Sequence, residues 1–492
     1  MTTPRRLAIL SLLLTLAAGC RVGPEYRKPA LPMGAEAPLV SMNAQAESAA
    51  EPPDDWWKLY SDSRLDALLQ EAFAANADLT AAEANFSAAR SGLAGARAAR
   101  YPETAAKASG IYGRDAITDE ILELGGHPPQ TIWLLEDILE VSYEVDLFGR
   151  VHRSVEASRA NAEAVAAARD SVRVVVAAET ARAYAQICAL GEQLAVANRS
   201  LEVVSREAEI TQHRHEAGAN SDFDVVRAQG LVAQTRSAIP PLQGQRRAAL
   251  FQLAALLGRT PVNAPNDLEN CAAPPVLGAL IPVGDGAALL KRRPDVRQAE
   301  RLLAAATARI GIATADLYPR ISLVGFYGGV GTTSSELTTN EGLTWGIGPS
   351  VSWSFPNQAL PRARVRQAKA STAAALAGFD SVVLNALKET EQSLALYGAA
   401  LDNRQALADA QSRAHTAFTM AHDQFLAGSL SNLDLLTTEQ ALVAADAAVA
   451  ASDSVLIQDQ IAVFKALGGG WRSPETPATP LHGNNVRAAS EP

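Results

Sequence analysis

Between Arg150 and about Ala217 the chain has no proline, and Val151, Val155, Ala162, Val165, Val172, Val176, Ala183 and Ile187 recur at intervals of three, four or seven. That spacing is a coiled-coil seam, and it predicts a single helix of roughly 65 residues, near ~100 Å long at ~1.5 Å per residue. A second long helix is predicted from about Arg362, with Leu376, Phe379, Val383, Leu387, Leu394, Tyr397 and Leu401 along one face. The stretch from Asp62 to Pro102 also has helical spacing, broken around Asn76, and predicts two helices. At Tyr101-Pro102 and again at Tyr318-Pro319 the proline discourages further helix, and the texture turns to Gly, Ser, aromatic and β-branched residues. Strands are predicted there: "RISLVGFYGGVGT" (Arg320 to Thr332) with "LTWGIGPSVSWSF" (Leu343 to Phe355), and "TAAKASGIYGRD" (Thr104 to Asp115) with the region up to "LEVSYEVDLFG" (Leu139 to Gly149). A loop containing His127, Pro128 and Pro129 joins the earlier pair. Each second-half segment has about ten or more residues, the length of a tilted transmembrane strand.

The same pattern occurs twice. "AGANSDFDVVRAQ" (Ala217 to Gln229) aligns without a gap on "AGSLSNLDLLTTE" (Ala427 to Glu439) at an offset of 210, as "FQLAALLG" (Phe251 to Gly258) does on "IAVFKALG" (Ile461 to Gly468). Further upstream the offset is 217, pairing Asp78 with Asp295, Glu83 with Glu300 and Tyr101-Pro102 with Tyr318-Pro319. A duplicated unit accounts for both. In each copy Gly218 or Gly428 can take the left-handed conformation that ends a helix, and Ser221 or Ser431 can start the next. The repeated stretch is therefore the tip of a long helical hairpin. The predicted organisation is a signal peptide over 1–19, an extended segment over 20–61 and a first repeat over 62–258, with its β-hairpin at about 103–148 and its helical hairpin at about 150–257. A linker over 259–285 follows. The second repeat spans 286–470, with a β-hairpin at about 320–355 and a helical hairpin at about 361–467, and a disordered tail covers 471–492.

Composition sharpens this picture. A chain of 492 residues is too long for one ordinary core, its aromatic content is 5%, and alanine runs through most of it, as close helix packing favours. The formal charge of -10 argues against a nucleic-acid surface. Arg5 and Arg6 precede the run Leu7 to Leu16, which reads as a secretory signal too short to span a bilayer as a mature helix. The "AAGC" that follows resembles a bacterial lipobox ending on Cys20, with Ala17 where leucine is preferred; a signal peptide cut nearby, leaving Cys20 an ordinary thiol, is the alternative. Arg21 is not the aspartate associated with inner-membrane retention, which favours the outer membrane. Cys188 and Cys271 have no metal-ligand pattern beside them. They are either bystanders or a disulfide, which requires α-carbons within about 7 Å. No other stretch of eighteen consecutive apolar residues occurs, so a membrane crossing falls to strands in a closed barrel.

Tyr112, Trp133, Tyr143, Phe326, Tyr327, Trp345 and Trp353 fall in or beside the strands. They fit an aromatic girdle at a membrane interface and equally an ordinary antiparallel sheet in a soluble domain. Four strands cannot close a barrel, so the membrane reading requires several copies. Signals for catalysis are poor. His213 and His215 are two apart on a helix and face apart, "GGVGTTSS" (Gly328 to Ser335) lacks the lysine of a phosphate loop, and no nucleophile has a base. No enzyme, metal or cofactor is expected.

With "GCRVGPEYRKP", "WWKLYSDSRLDALLQEAFAANADL", "YEVDLFGRVHRSVEAS", "LLKRRPDVRQAE" and the paired tips in order, the chain resembles the outer-membrane factors, the TolC-like efflux channels, and among them the NodT/OprM-type lipoproteins. The resemblance covers nearly the whole chain. It implies a mainly α fold with a transmembrane β-barrel: a homotrimer whose four strands per copy close a twelve-stranded barrel and whose helical hairpins form a periplasmic tunnel. It further implies a passive conduit in outer-membrane lipid, anchored through Cys20 and served by an inner-membrane pump of RND type. A periplasmic adaptor, a membrane fusion protein, would contact the tips near Gly218, Ser221, Gly428 and Ser431. Asp434 matches the position of an acidic constriction ring, and Asp224 is its counterpart in the first repeat; capping of the returning helices is the plainer role for both. Where relatives carry a locking tyrosine and arginine, Phe425 and Leu430 stand here, which implies a gate closed by apolar packing or one more easily opened. A coiled-coil scaffold or adhesion lipoprotein without a pore is the alternative function.

Overall fold

The computed structural model describes residues 21–43, 46–114, 116–126 and 128–470. The signal segment 1–19, Cys20, His127 and the tail 471–492 lie outside these described residues. In chain order the elements are α1 (Ser63–Ala75), α2 (Ala77–Ala98), β1 (Glu103–Gly113), α3 (Ala116–Leu124), β2 (Ile132–Val145), α4 (Arg150–Glu216), α5 (Asp222–Ser237) and α6 (Ile239–Leu256). The second repeat follows as α7 (Gly286–Arg292), α8 (Pro294–Ala315), β3 (Arg320–Gly331), β4 (Leu343–Ser352), α9 (Ala359–Leu426) and α10 (Asn432–Ala466). Helices α4 and α9 have 67 and 68 residues, and α2 and α8 have 22 each.

Local chemistry sets several boundaries. Asn76 ends α1 and starts α2: its side-chain oxygen accepts from the Leu79 amide at 3.0 Å, and its amide nitrogen donates to the Leu256 carbonyl at 3.0 Å. The first return path is split at Ala238, because Pro240 and Pro241 open a new helix there, where a missing N–H leaves nothing unsatisfied. The aligned stretch of the second repeat, free of proline, is one helix of 35 residues. The connection of the first β-hairpin, expected as a loop, holds the short helix α3, and β2 begins already at Ile132. Leu376, placed on the apolar face by its spacing, is 41% exposed. Helices α9 and α10 each contain an 18-residue window apolar enough by composition to cross a membrane, with 17% and 22% of these windows buried within the chain. Counting consecutive apolar residues misses them, since polar and charged residues interrupt both stretches.

The chain divides into two compact units. Among the described residues, one comprises 21–30, those of 84–166, and 297–382. It contains a four-stranded antiparallel sheet in the order β1-β2-β3-β4, so that β1 and β4 are its edges. Beside the sheet Phe148 stacks on Tyr318 at 4.6 Å. Tyr26 packs against the cluster of Ala160, Ala304 and Ala305 and donates its hydroxyl to Glu300 at 2.7 Å.

The other unit comprises the described residues of 31–83, 167–296 and 383–470 and holds the larger core. Trp56, fully buried, stacks on Phe464 at 4.7 Å, with Leu65, Leu69, Leu253 and Leu257 in the same cluster. Buried Arg293 bridges Asp295 at 2.6 Å, Glu389 at 2.9 Å and the Ala466 carbonyl at 2.8 Å, so its buried charge is matched by two more exposed carboxylates. Cys188 and Cys271 are joined by a disulfide with α-carbons 4.8 Å apart, which ties α4 to the linker. Gly191, one turn after Cys188, leaves the linker room: a Cβ there would stand 2.0 Å from the Cys271 carbonyl oxygen.

Candidate functional site

The two hairpin tips are built alike. Gly218 and Gly428 both have φ of 75°, a conformation that glycine alone adopts without cost. In the first tip Gly218 donates to the His215 carbonyl at 2.8 Å and Ala219 to that of Arg214 at 2.7 Å. In the second, Gly428 donates to Phe425 at 3.0 Å and Ser429 to Gln424 at 2.9 Å. Both are the helix-ending pattern that satisfies the last free carbonyls. Ser221 and Ser431 are the N-caps of the returning helices, accepting from the amides of Asp224 at 3.3 Å and Asp434 at 3.2 Å. Ser221→Ala is expected to cost about 1 kcal/mol, read as faster amide exchange confined to the first turn of α5; an unchanged rate would remove the cap from the account.

The two aspartates differ in surroundings. Asp224 completes a reciprocal capping box, accepting from the Ser221 hydroxyl at 2.7 Å and the Ser221 amide at 3.1 Å. The Ser221 hydroxyl above all, then its backbone N–H and the Asn432 side chain, holds this carboxyl below its usual range. Asp434 is exposed and accepts from the Ser431 hydroxyl at 2.6 Å. Only Asp224 closes a capping box, and of the two Asp434 is the more exposed.

Apolar packing and one cation join the tips. Phe425, 2% exposed, lies among Ala421, Leu435, Ile210, Phe418 and Leu430. The Arg214 guanidinium, from the first tip, sits 4.1 Å above the Phe425 ring and donates to the Phe425 carbonyl at 3.4 Å. The Thr211 hydroxyl reaches the Asn432 side-chain oxygen at 3.4 Å. The sequence reading missed Arg214, Thr211 and Asn432. One signal for Arg214 was available, since the 210-residue offset places it opposite Gln424, beside Phe425.

The sheet register sorts its side chains into two faces. One face carries Tyr112 beside Trp133, the row Leu139, Tyr327 and Trp345, the row Tyr143, Leu323 and Pro349, and the row Val145, Ile321 and Val351. Trp345 on it is 68% exposed. The other face carries Lys107 bonded to Glu140 at 2.7 Å, with Glu136, Ser142, Glu144, Ser322 and Ser350. Phe326 departs from the girdle expected of it. It shares a row with Glu140 and Gly346 on the polar face, because its odd-numbered neighbour Tyr327 takes the apolar side and strand side chains alternate. Trp353 lies just past β4, stacks on Phe355 at 4.6 Å and donates its ring N–H to the Leu317 carbonyl at 3.1 Å.

Comparison with known proteins gives this arrangement its setting. A family model described as "Outer membrane efflux protein" matches residues 68–259 and 287–469. Nodulation protein T of Rhizobium leguminosarum bv. viciae is 28% identical over 485 residues, covering 98% of this chain and 96% of the relative. The pyoverdine export outer membrane protein OpmQ of Pseudomonas putida is 28% identical over 482 residues, covering 96% and 99%. The solved structure of the outer-membrane channel OprN superposes with a TM-score of 0.82 at 32% identity, covering 92% of this chain and 100% of that one. The chain belongs to the outer membrane efflux protein family, as a channel for efflux across the outer membrane.

Proposed function

We propose that three copies close around one axis, each giving its sheet to a twelve-stranded barrel in the outer membrane and its helical hairpins to a tunnel through the periplasm. The observation that carries this reading is the sheet itself: one face is apolar and aromatic apart from Asp137, and among the described residues strands β1 and β4 leave their outer edges unpaired. In lipid an unpaired edge is not tolerated, so closure needs strands from other copies. The sparsely buried apolar windows of α9 and α10 call for the same partners, and alanine and valine there suit close helix contact. The trimer is a passive conduit: an inner-membrane pump of RND type and a periplasmic adaptor deliver small exported molecules to its tips. The adaptor contacts the chain around Gly218, Ser221, Gly428 and Ser431, and a lipid on Cys20 adds a second hold on the outer membrane. A photoreactive group placed at Ser431 should crosslink the adaptor in cells.

Purified protein in a planar bilayer should give discrete, cation-preferring channels; a well-folded trimer that never conducts would return the chain to the scaffold class. Asp434 supplies the cation preference, because its three exposed carboxylates around an axis concentrate positive charge and repel anions. Asp434→Ala is expected to lower the cation-to-anion permeability ratio roughly several-fold, read from reversal potentials under a salt gradient. Unaltered selectivity would dismiss the ring.

A further inference from the structure

Between the tips lies a group of acids that neither capping nor the aspartates explain. Glu439 on α10 is 0% exposed, and among the described residues neither of its carboxyl oxygens has a hydrogen-bond partner. Glu207 on α4 is 5% exposed, its Oε2 is likewise unpartnered, and its Oε1 stands 3.2 Å from Nδ1 of His422 on α9. Leu436, one turn before Glu439, packs in the apolar cluster of Val204, Ala228 and Leu231. The apolar cluster thus joins the first hairpin to α10, and His422 brings α9 to the acids. A carboxylate in such a seam without a donor is costly, and protonation relieves that cost. Burial first, then the charge of Glu207, pushes Glu439 up to about 8. Burial also raises Glu207, opposed by His422 and then Arg206. The hairpin repeat does not itself demand an acid here, since the position 210 residues earlier is Gln229.

We propose that Glu439 is a positioning residue: its neutral carboxyl, with Glu207 and His422, is a proton-bound latch that fastens the second hairpin tip to the first. The fastened form holds the proton of Glu439 far more tightly than a form in which water reaches that carboxyl, whose ordinary value is 4.5. Fastening is therefore at full strength below that value, weakens as pH rises toward about 8, and changes no further above it. From pH 6 to pH 9 the opening equilibrium should rise on the order of tenfold to a hundredfold. The fastening is a property of this chain's own contacts; its consequence for passage rests on the channel reading.

Infrared difference spectra of the detergent-solubilised full chain, wild type minus E439Q, test the latch directly. A protonated-carboxyl band present at neutral pH and titrating near 8 is expected; a carboxylate already ionised at neutral pH overturns the proposal. Amide exchange over the end of α4 and the start of α10, corrected for intrinsic rates, should show the rise in wild type and stay within about twofold in E439Q. Equal pH dependence in both overturns it. Should E439Q not fold, E207Q supplies the second arm: losing the neighbouring charge lowers the Glu439 midpoint, and an unmoved midpoint is fatal. Bilayer recordings separate the two readings. Conducting channels whose opening ignores pH overturn the latch as a control of passage, whereas a trimer silent at every pH overturns the channel and leaves the spectra and exchange to decide the latch.

Discussion

Truncating Phe425 to alanine should raise the open probability of the channel in planar bilayers at least about tenfold, because it removes the ring on which both tips converge. The side chain is almost wholly buried, and Phe-to-Ala changes at such sites cost ~3–5 kcal/mol. Arg214 loses the face over which it sits at 4.1 Å, a contact worth about 0.5–2 kcal/mol. A change of this size acts on the joint between hairpins and leaves the caps at Ser221 and Ser431 intact. Part of the lost energy will be recovered by collapse around the cavity, which is why the expected rise is set well below the full arithmetic. Phe425→Leu, which keeps most of the apolar volume and loses the arginine contact, should fall between the two. If the alanine variant conducts like the wild type, the tips are not the barrier to flow, and the resistance must lie elsewhere along the tunnel.

The double variant Cys188→Ala, Cys271→Ala should lower the stability of its unit by about 4.5 kcal/mol, the loop-closure value for a bridge across 83 residues. Cys188 is fully buried, so alanine there adds a small loss of packing to the entropic term. In a thermal scan of the solubilised protein the loss should appear as a shift on the order of 10 °C, and a strong thiol reductant applied to the wild type should reproduce most of it. The helical hairpins should keep their far-ultraviolet signal at ambient temperature, because the bridge ties the linker to α4 and forms no part of either hairpin tip. Coincident scans for variant and wild type would make the bond a passenger in an already rigid core.

What the sequence determined by itself was whatever repeats at short range. A seam at intervals of three and four cannot be anything but a helix over so many residues, and glycine followed three residues later by serine ends one helix and caps the next. The duplication, the four strands and the tip glycines were legible for that reason, and the motifs in order carried the family. Contacts between distant segments were not legible, because nothing in a local pattern says which faces meet. Spacing left the pairing of Cys188 with Cys271 open, and the approach of the linker to Gly191 closed it. The sequence left Phe326 to a girdle or to an ordinary sheet, and the register turned it to the polar side. Arg214, Thr211 and Asn432 became joint residues only when the first hairpin was laid against the second. Glu439 reads as one more solvated charge on a long helix until its neighbours are known. Its missing partners and its burial are properties of packing, and only the tertiary structure could decide them.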